Sequence, residues 1–106
     1  MNNFLLIYTG GGMPETEEEQ AAVLKVWDDW FEELGDHLVD GGNPTGPEAK
    51  TIHSDGHIHD GPEGAMATGY SMLKAESLDQ AVTLAKGCPM LAGKGSITVY
   101  EIIPAM

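Results

Sequence analysis

Residues 4–8 read Phe4-Leu5-Leu6-Ile7-Tyr8, five apolar side chains in an unbroken row. Successive side chains on a strand point to opposite faces, so a strand here needs dry surroundings on both sides of its sheet. The end of the chain repeats the demand. Across Ile97 to Ile103, the residues Ile97, Val99 and Ile103 fall on one face and Tyr100 and Ile102 on the other. What lies between decides how such a sheet is covered.

Gly10-Gly11-Gly12 ends the first strand, and Thr16 with Glu19 three residues on forms a capping box, whose side chains satisfy free amides at a helix start. Val23, Trp27, Trp30 and Leu34 then recur at helical spacing with Leu24 and Phe31 beside them, while Glu18, Lys25, Asp28, Asp29 and Glu32 occupy other positions. Gly35 stops this helix. Leu38-Val39 supports a short strand, the turn-forming run Gly41 to Pro47 interrupts it, and Ala67 to Lys74 reads as a further strand. Ser77 with Gln80 repeats the capping box, and Leu78, Ala81, Val82 and Ala85 give the second helix a narrow apolar stripe, ending at Gly87-Cys88-Pro89. The order is β-α-β, a hairpin insertion, then β-α-β: an α+β, ferredoxin-like βαββαβ plan forming one domain over residues 1–106. Two helices cover only one face of that sheet. The second face is expected to meet the same face of another copy, a homodimer; the alternative is a monomer partly covered by the 41–65 insertion.

Seventeen acidic residues against five basic ones give a formal charge of −12, which repels phosphate backbones and anionic lipid. Nucleic-acid and membrane partners are therefore not expected. No apolar run reaches a membrane-spanning length, and Phe4 to Tyr8 lacks the basic flank of a signal peptide, so a soluble cytoplasmic protein is expected. A single cysteine, Cys88, excludes a disulfide framework; near a helix C-terminus it reads as a buried, inert thiol. The glycine run does not continue as a phosphate loop, because Glu15 stands where a dinucleotide fingerprint needs glycine and Glu17, Glu18 and Glu19 occupy the helix start. Trp27 and Trp30 fit a core or subunit interface better than a ligand cage. No cofactor is implied.

The remaining chemistry lies in His53-Ser54-Asp55-Gly56-His57-Ile58-His59-Asp60, which holds three of the four histidines. Asp55-Gly56 signals a two-residue hairpin turn of type I′. With that turn Ser54 sits opposite His57, His53 opposite Ile58 and Ile52 opposite His59, so His57 and His59 share one face while His53 and Asp60 share the other. On this register the imidazoles do not converge, which counts against a metal site. A solvated hairpin and a pocket-lining His/Asp pair stay open beside it, and His37 could join any of them in space. Catalytic roles are expected for Asp60 and His59, should Gly61-Pro62 bend the chain so that the carboxylate returns to the imidazole. His57, Tyr8 and Tyr70 are expected to line a substrate cleft.

Leu5-Leu6-Ile7-Tyr8, Asp60-Gly61-Pro62 after a hairpin, Gly69-Tyr70, Ser77-Leu78-Asp79-Gln80-Ala81 and Cys88-Pro89 before Ile97-Thr98-Val99 together resemble the DGPF branch of the YCII-related proteins. The resemblance spans nearly the whole chain and rests on the order and spacing of short motifs. It implies a dimeric α+β barrel, two ferredoxin-like sheets meeting face to face around a cleft. Asp60 is the acidic position that matches the motif. Glu63 stands where the motif has phenylalanine, so the resemblance implies a cleft opened or acidified by Glu63 as a substrate-binding residue, and Thr16 to Leu34 lacks the helix histidine of the histidine–aspartate pair proposed as catalytic in YCII proteins. The sequence therefore points to a small-molecule binding or acid/base cleft and leaves open whether the chain is an enzyme. The alternative is a non-catalytic interaction module whose acidic helix meets a basic partner.

Overall fold

A computed structural model describes residues 1–11 and 16–105. Gly12 of the glycine run and Glu15 lie outside the described residues. The fold is α+β. Strands β1 (Asn2–Thr9), β2 (Leu38–Asp40), β5 (Ala67–Ala75) and β6 (Ser96–Glu101) form an antiparallel sheet in the order β2-β5-β1-β6. Strands β3 (Lys50–Ile52) and β4 (Ile58–Asp60) form a separate two-stranded hairpin. Helix α1 spans Glu17–Leu34 and helix α2 spans Leu78–Ala85. Among the described residues no helix is long and apolar enough to cross a membrane.

Both helices begin where their caps place them. Thr16 Oγ1 accepts from the Glu19 amide and Ser77 Oγ from the Gln80 amide, each at 3.1 Å, so one free N–H per helix start is satisfied by a neighbouring hydroxyl. The second box closes one residue early, since Gln80 Oε1 accepts from Glu76 N at 2.6 Å.

The core lies on one face of the sheet. Phe4, Leu6 and Tyr8 of β1 and Leu73 and Ala75 of β5 are buried there against Trp30 and Leu34 of α1 and Ala81 and Ala85 of α2. Tyr8 meets Trp27 edge to face at 5.4 Å between ring centroids. The Trp30 indole N–H reaches the Leu84 carbonyl at 3.4 Å, linking the helices. The apolar stripe expected along α1 is only half used, because Val23 is exposed with Leu24 and Val26 and the first turns overhang the packed core. The alternate residues Leu5, Ile7, Tyr70 and Met72 project from the other face and are half-buried, and Tyr100 there is exposed.

After β2 the chain crosses the edge of β5 in contact with it. Tyr70 N–H donates to the Asn43 carbonyl at 3.2 Å and Thr45 N–H to the Thr68 carbonyl at 3.1 Å. Gly42 makes the approach feasible: its φ is +74°, and a Cβ on it would stand 1.7 Å from the Tyr70 carbonyl oxygen. From there the chain runs out to the hairpin. The Cα radius of gyration is 15.3 Å, against about 13 Å for a compact chain of this length.

Candidate functional site

The hairpin does not take the expected turn. Its pairs are Lys50 with Asp60, Thr51 with His59 and Ile52 with Ile58, one residue out of step with a two-residue loop. His53 N–H donates to the His57 carbonyl at 2.7 Å and Gly56 N–H to the His53 carbonyl at 2.9 Å, which defines a three-residue loop ending in a bulge at Gly56. The reason is the cost of positive φ. A type I′ turn requires it at both Asp55 and Gly56, whereas the bulged loop requires it only at Gly56, where φ is +91°. Asp55 keeps a negative φ and its carboxylate accepts the His57 amide at 2.9 Å.

A one-residue change of register moves side chains to the other face. The expectation that the imidazoles diverge is thereby overturned: His53, His57 and His59 gather on one side, each offering a ring nitrogen within 4.8 Å of the others'. His53 Nε2 lies 2.6 Å from His59 Nδ1, and the His53 and His57 rings stack at 4.5 Å between centroids and 20°. His53 and His59 are half-buried and His57 is exposed. The bend after β4 is present, with Gly61 at φ +97°, but it delivers Glu63 instead of Asp60. Glu63 Oε1 stands 3.5 Å from His59 Nε2 and 3.7 Å from His53 Nε2. Asp55 Oδ1 is 3.9 Å from His57 Nδ1.

Asp60 falls on the opposite face of the hairpin. It pairs with Lys50 Nζ, with its side chain 86% exposed, and both line an open groove of about 620 Å³ with Pro47, Glu48, Ala49, Gly61 and Met66. No His59–Asp60 pair forms, because neighbours on a strand point apart and the bend begins one residue too late to reverse Asp60. His37 stands elsewhere, its Nδ1 2.9 Å from the Lys74 carbonyl. Sequence reasoning assigned no role to His53. The signal available was the odd three-residue loop Ser54-Asp55-Gly56, which keeps positions 53, 57 and 59 on one face.

The two tyrosines expected to wall one cleft are on opposite faces of the central sheet. Tyr70 is half-buried on the open face, while Tyr8 is in the core with 3% of its surface exposed. Tyr8 Oη donates to Ser71 Oγ at 2.6 Å, and Ser71 Oγ donates to the Gly41 carbonyl at 2.7 Å, so the buried hydroxyls are satisfied in series. Burial pushes the Tyr8 phenol well above the ordinary tyrosine range, against a smaller lowering by Ser71. Cys88 is buried and its thiol is raised, chiefly by the same loss of solvent, which suits packing and not nucleophilic attack.

What the hairpin offers is therefore three imidazoles and one carboxylate, side chains able to act as acid/base groups or to ligate a cation. The sequence matches no protein-family model and no curated protein.

Proposed function

We propose that the protein is a cytoplasmic homodimer of ferredoxin-like protomers, of the YCII-related, dimeric α+β barrel type, and that it binds a small organic molecule for acid/base chemistry. One observation carries the reading: Leu5, Ile7, Tyr70, Met72 and Tyr100 project from the sheet face away from the helices and none of them is buried. The strand order β2-β5-β1-β6, antiparallel throughout, supports the split βαβ plan. Ile52 and Ile58 add to the apolar surface, 71% and 56% exposed on the hairpin arm. Completing the burial of half-covered side chains of this size yields about 1 kcal/mol each. Seven from each copy then give about 14 kcal/mol, comparable with the association cost of about 4–15 kcal/mol. Tyr70 would line the enclosed space. His53, His57, His59 and Glu63 supply the polar groups for that chemistry, and Asp60 is left with a structural role beside Lys50.

Sedimentation velocity tests the assembly. Wild-type protein at about 10 μM should run as a dimer, and Ile7→Glu, which places a charge at the centre of the face, should run as a folded monomer. A wild-type monomer, or an Ile7→Glu dimer, would overturn the proposal. A second reading has its own observation: exposed Val23, Leu24 and Val26 share α1 with Glu18, Asp28 and Asp29, as a helix meeting a basic, partly apolar partner would require. In that reading the sheet interface of a crystallised dimer is dry and filled, with no ligand cavity.

A further inference from the structure

The imidazole cluster has a geometry that proton transfer does not require. A general acid or base needs one titratable group in reach of a substrate, whereas three ring nitrogens brought within 4.8 Å of one another form the donor set of a transition-metal site. We infer that His53, His57 and His59 bind a borderline divalent cation of the zinc class, with Glu63 as the fourth ligand. The inference does not depend on dimerisation or on any substrate.

Four features support it. The donors are neutral imidazoles and a carboxylate, which suit zinc, cobalt and nickel and match neither the all-oxygen shell of calcium nor that of magnesium. Tetrahedral coordination at about 2.1 Å places ligand atoms about 3.4 Å apart. Every imidazole pair offers nitrogens within 4.8 Å, with His53 Nε2 2.6 Å from His59 Nδ1, and Glu63 Oε1 lies 3.7 Å from His53 Nε2 and 3.5 Å from Nε2 of His59, the other nitrogen of that ring. The backbone already holds the set, since the bulge at Gly56 and the bend at Gly61 use positive φ, His57 gathers with His53 and His59, and Glu63 approaches His53 and His59. Finally, Asp55 Oδ1 lies 3.9 Å from His57 Nδ1, within reach to orient that ring if its Nε2 ligates, and the chain's net charge of −12 draws cations to the surface.

The acidic surface is also the competing explanation, because exposed carboxylates bind divalent ions weakly and without selectivity. Cobalt distinguishes the two. Co2+ titrated into metal-free, full-length protein in millimolar Mg2+ should saturate at one ion per chain, with the visible absorption of a nitrogen-rich tetrahedral site, and Zn2+ should abolish that absorption. His53→Ala, His57→Ala and His59→Ala should each weaken binding by about tenfold or more, and Glu63→Gln by several-fold. His37→Ala, whose imidazole contacts the Lys74 carbonyl, should bind like wild type. Circular dichroism checks that the variants fold, and nitrogen-detected spectra of the wild-type histidine rings supply an independent reading: Zn2+ should shift the ring nitrogens of three histidines and leave His37 in place. Absent absorption, displacement by Mg2+, or unchanged affinity in His53→Ala or His59→Ala would overturn the site. Unchanged affinity in Glu63→Gln would remove Glu63 from it.

Discussion

Replacing Tyr8 with phenylalanine removes one oxygen from the middle of the core and should produce a loss of stability that depends on pH. Tyr8 Oη donates to Ser71 Oγ at 2.6 Å with the tyrosine 3% exposed, so Tyr8→Phe leaves a buried hydroxyl with one partner fewer. That costs about 1–2 kcal/mol at pH 7. Burial holds the folded-state phenol above its ordinary value of about 10, so the folded protein keeps a proton that the unfolded chain releases first as pH rises. The stabilisation from Tyr8 is therefore complete below pH 10 and is lost as pH climbs from there towards the folded value. One unit above the unfolded value, wild type has given up about 1.4 kcal/mol through this group, and the phenylalanine variant nothing. The difference between the proteins should shrink from about 1–2 kcal/mol at pH 7 to near zero at pH 11. Urea unfolding at both pH values and one protein concentration measures it, with both proteins carrying Cys88→Ala, because the Cys88 thiol interacts with the Tyr8 phenol and titrates in the same range. An equal difference at the two pH values would refute the buried phenol, and a neutral Tyr8→Phe at pH 7 would refute the Tyr8–Ser71–Gly41 chain.

Gly42→Ala should lose more than about 2 kcal/mol, because its Cβ would stand 1.7 Å from the Tyr70 carbonyl oxygen at a positive φ; faster exchange of the Tyr70 amide would report release of the crossing segment. Gly56→Ala meets no neighbour within 4 Å, so only the backbone cost of about 1–2 kcal/mol applies, and histidine ring spectra should show the contact between His53 and His59 weakened while the core stays intact. Phe4→Ala, at a fully buried position, should cost about 3–5 kcal/mol by thermal or denaturant unfolding. Asp60→Asn should change stability by less than about 1 kcal/mol, since the Lys50 pair it breaks is exposed, and should leave Co2+ affinity as in wild type.

Much of this architecture was legible in the residues themselves. Thr16 and Ser77 announce their helices because a hydroxyl at that position satisfies amides a few atoms away, an interaction that needs no tertiary context. The apolar run Phe4 to Tyr8 likewise reads as a strand, and β1 spans it, with Phe4, Leu6 and Tyr8 buried and Leu5 and Ile7 half-buried on the other face. Helix α1 was harder to read: its apolar stripe runs through Val23, yet burial starts further along, since periodicity shows which face is greasy and not how far the sheet beneath extends.

The histidines mark the limit. The order of the residues establishes that three of the four imidazoles crowd into one short stretch with carboxylates beside them, because proximity in sequence bounds proximity in space. Which of them meet was settled by a preference of about 1–2 kcal/mol, that of Asp55 for a negative φ, which lengthened the loop by one residue and changed the face of every side chain after it. Tyr8 and Tyr70 were parted in the same manner, by the alternation of strands whose register is defined only once they pair. Local chemistry is written in the chain; the convergence of side chains is a property of register, and register is decided by strands and turns acting together.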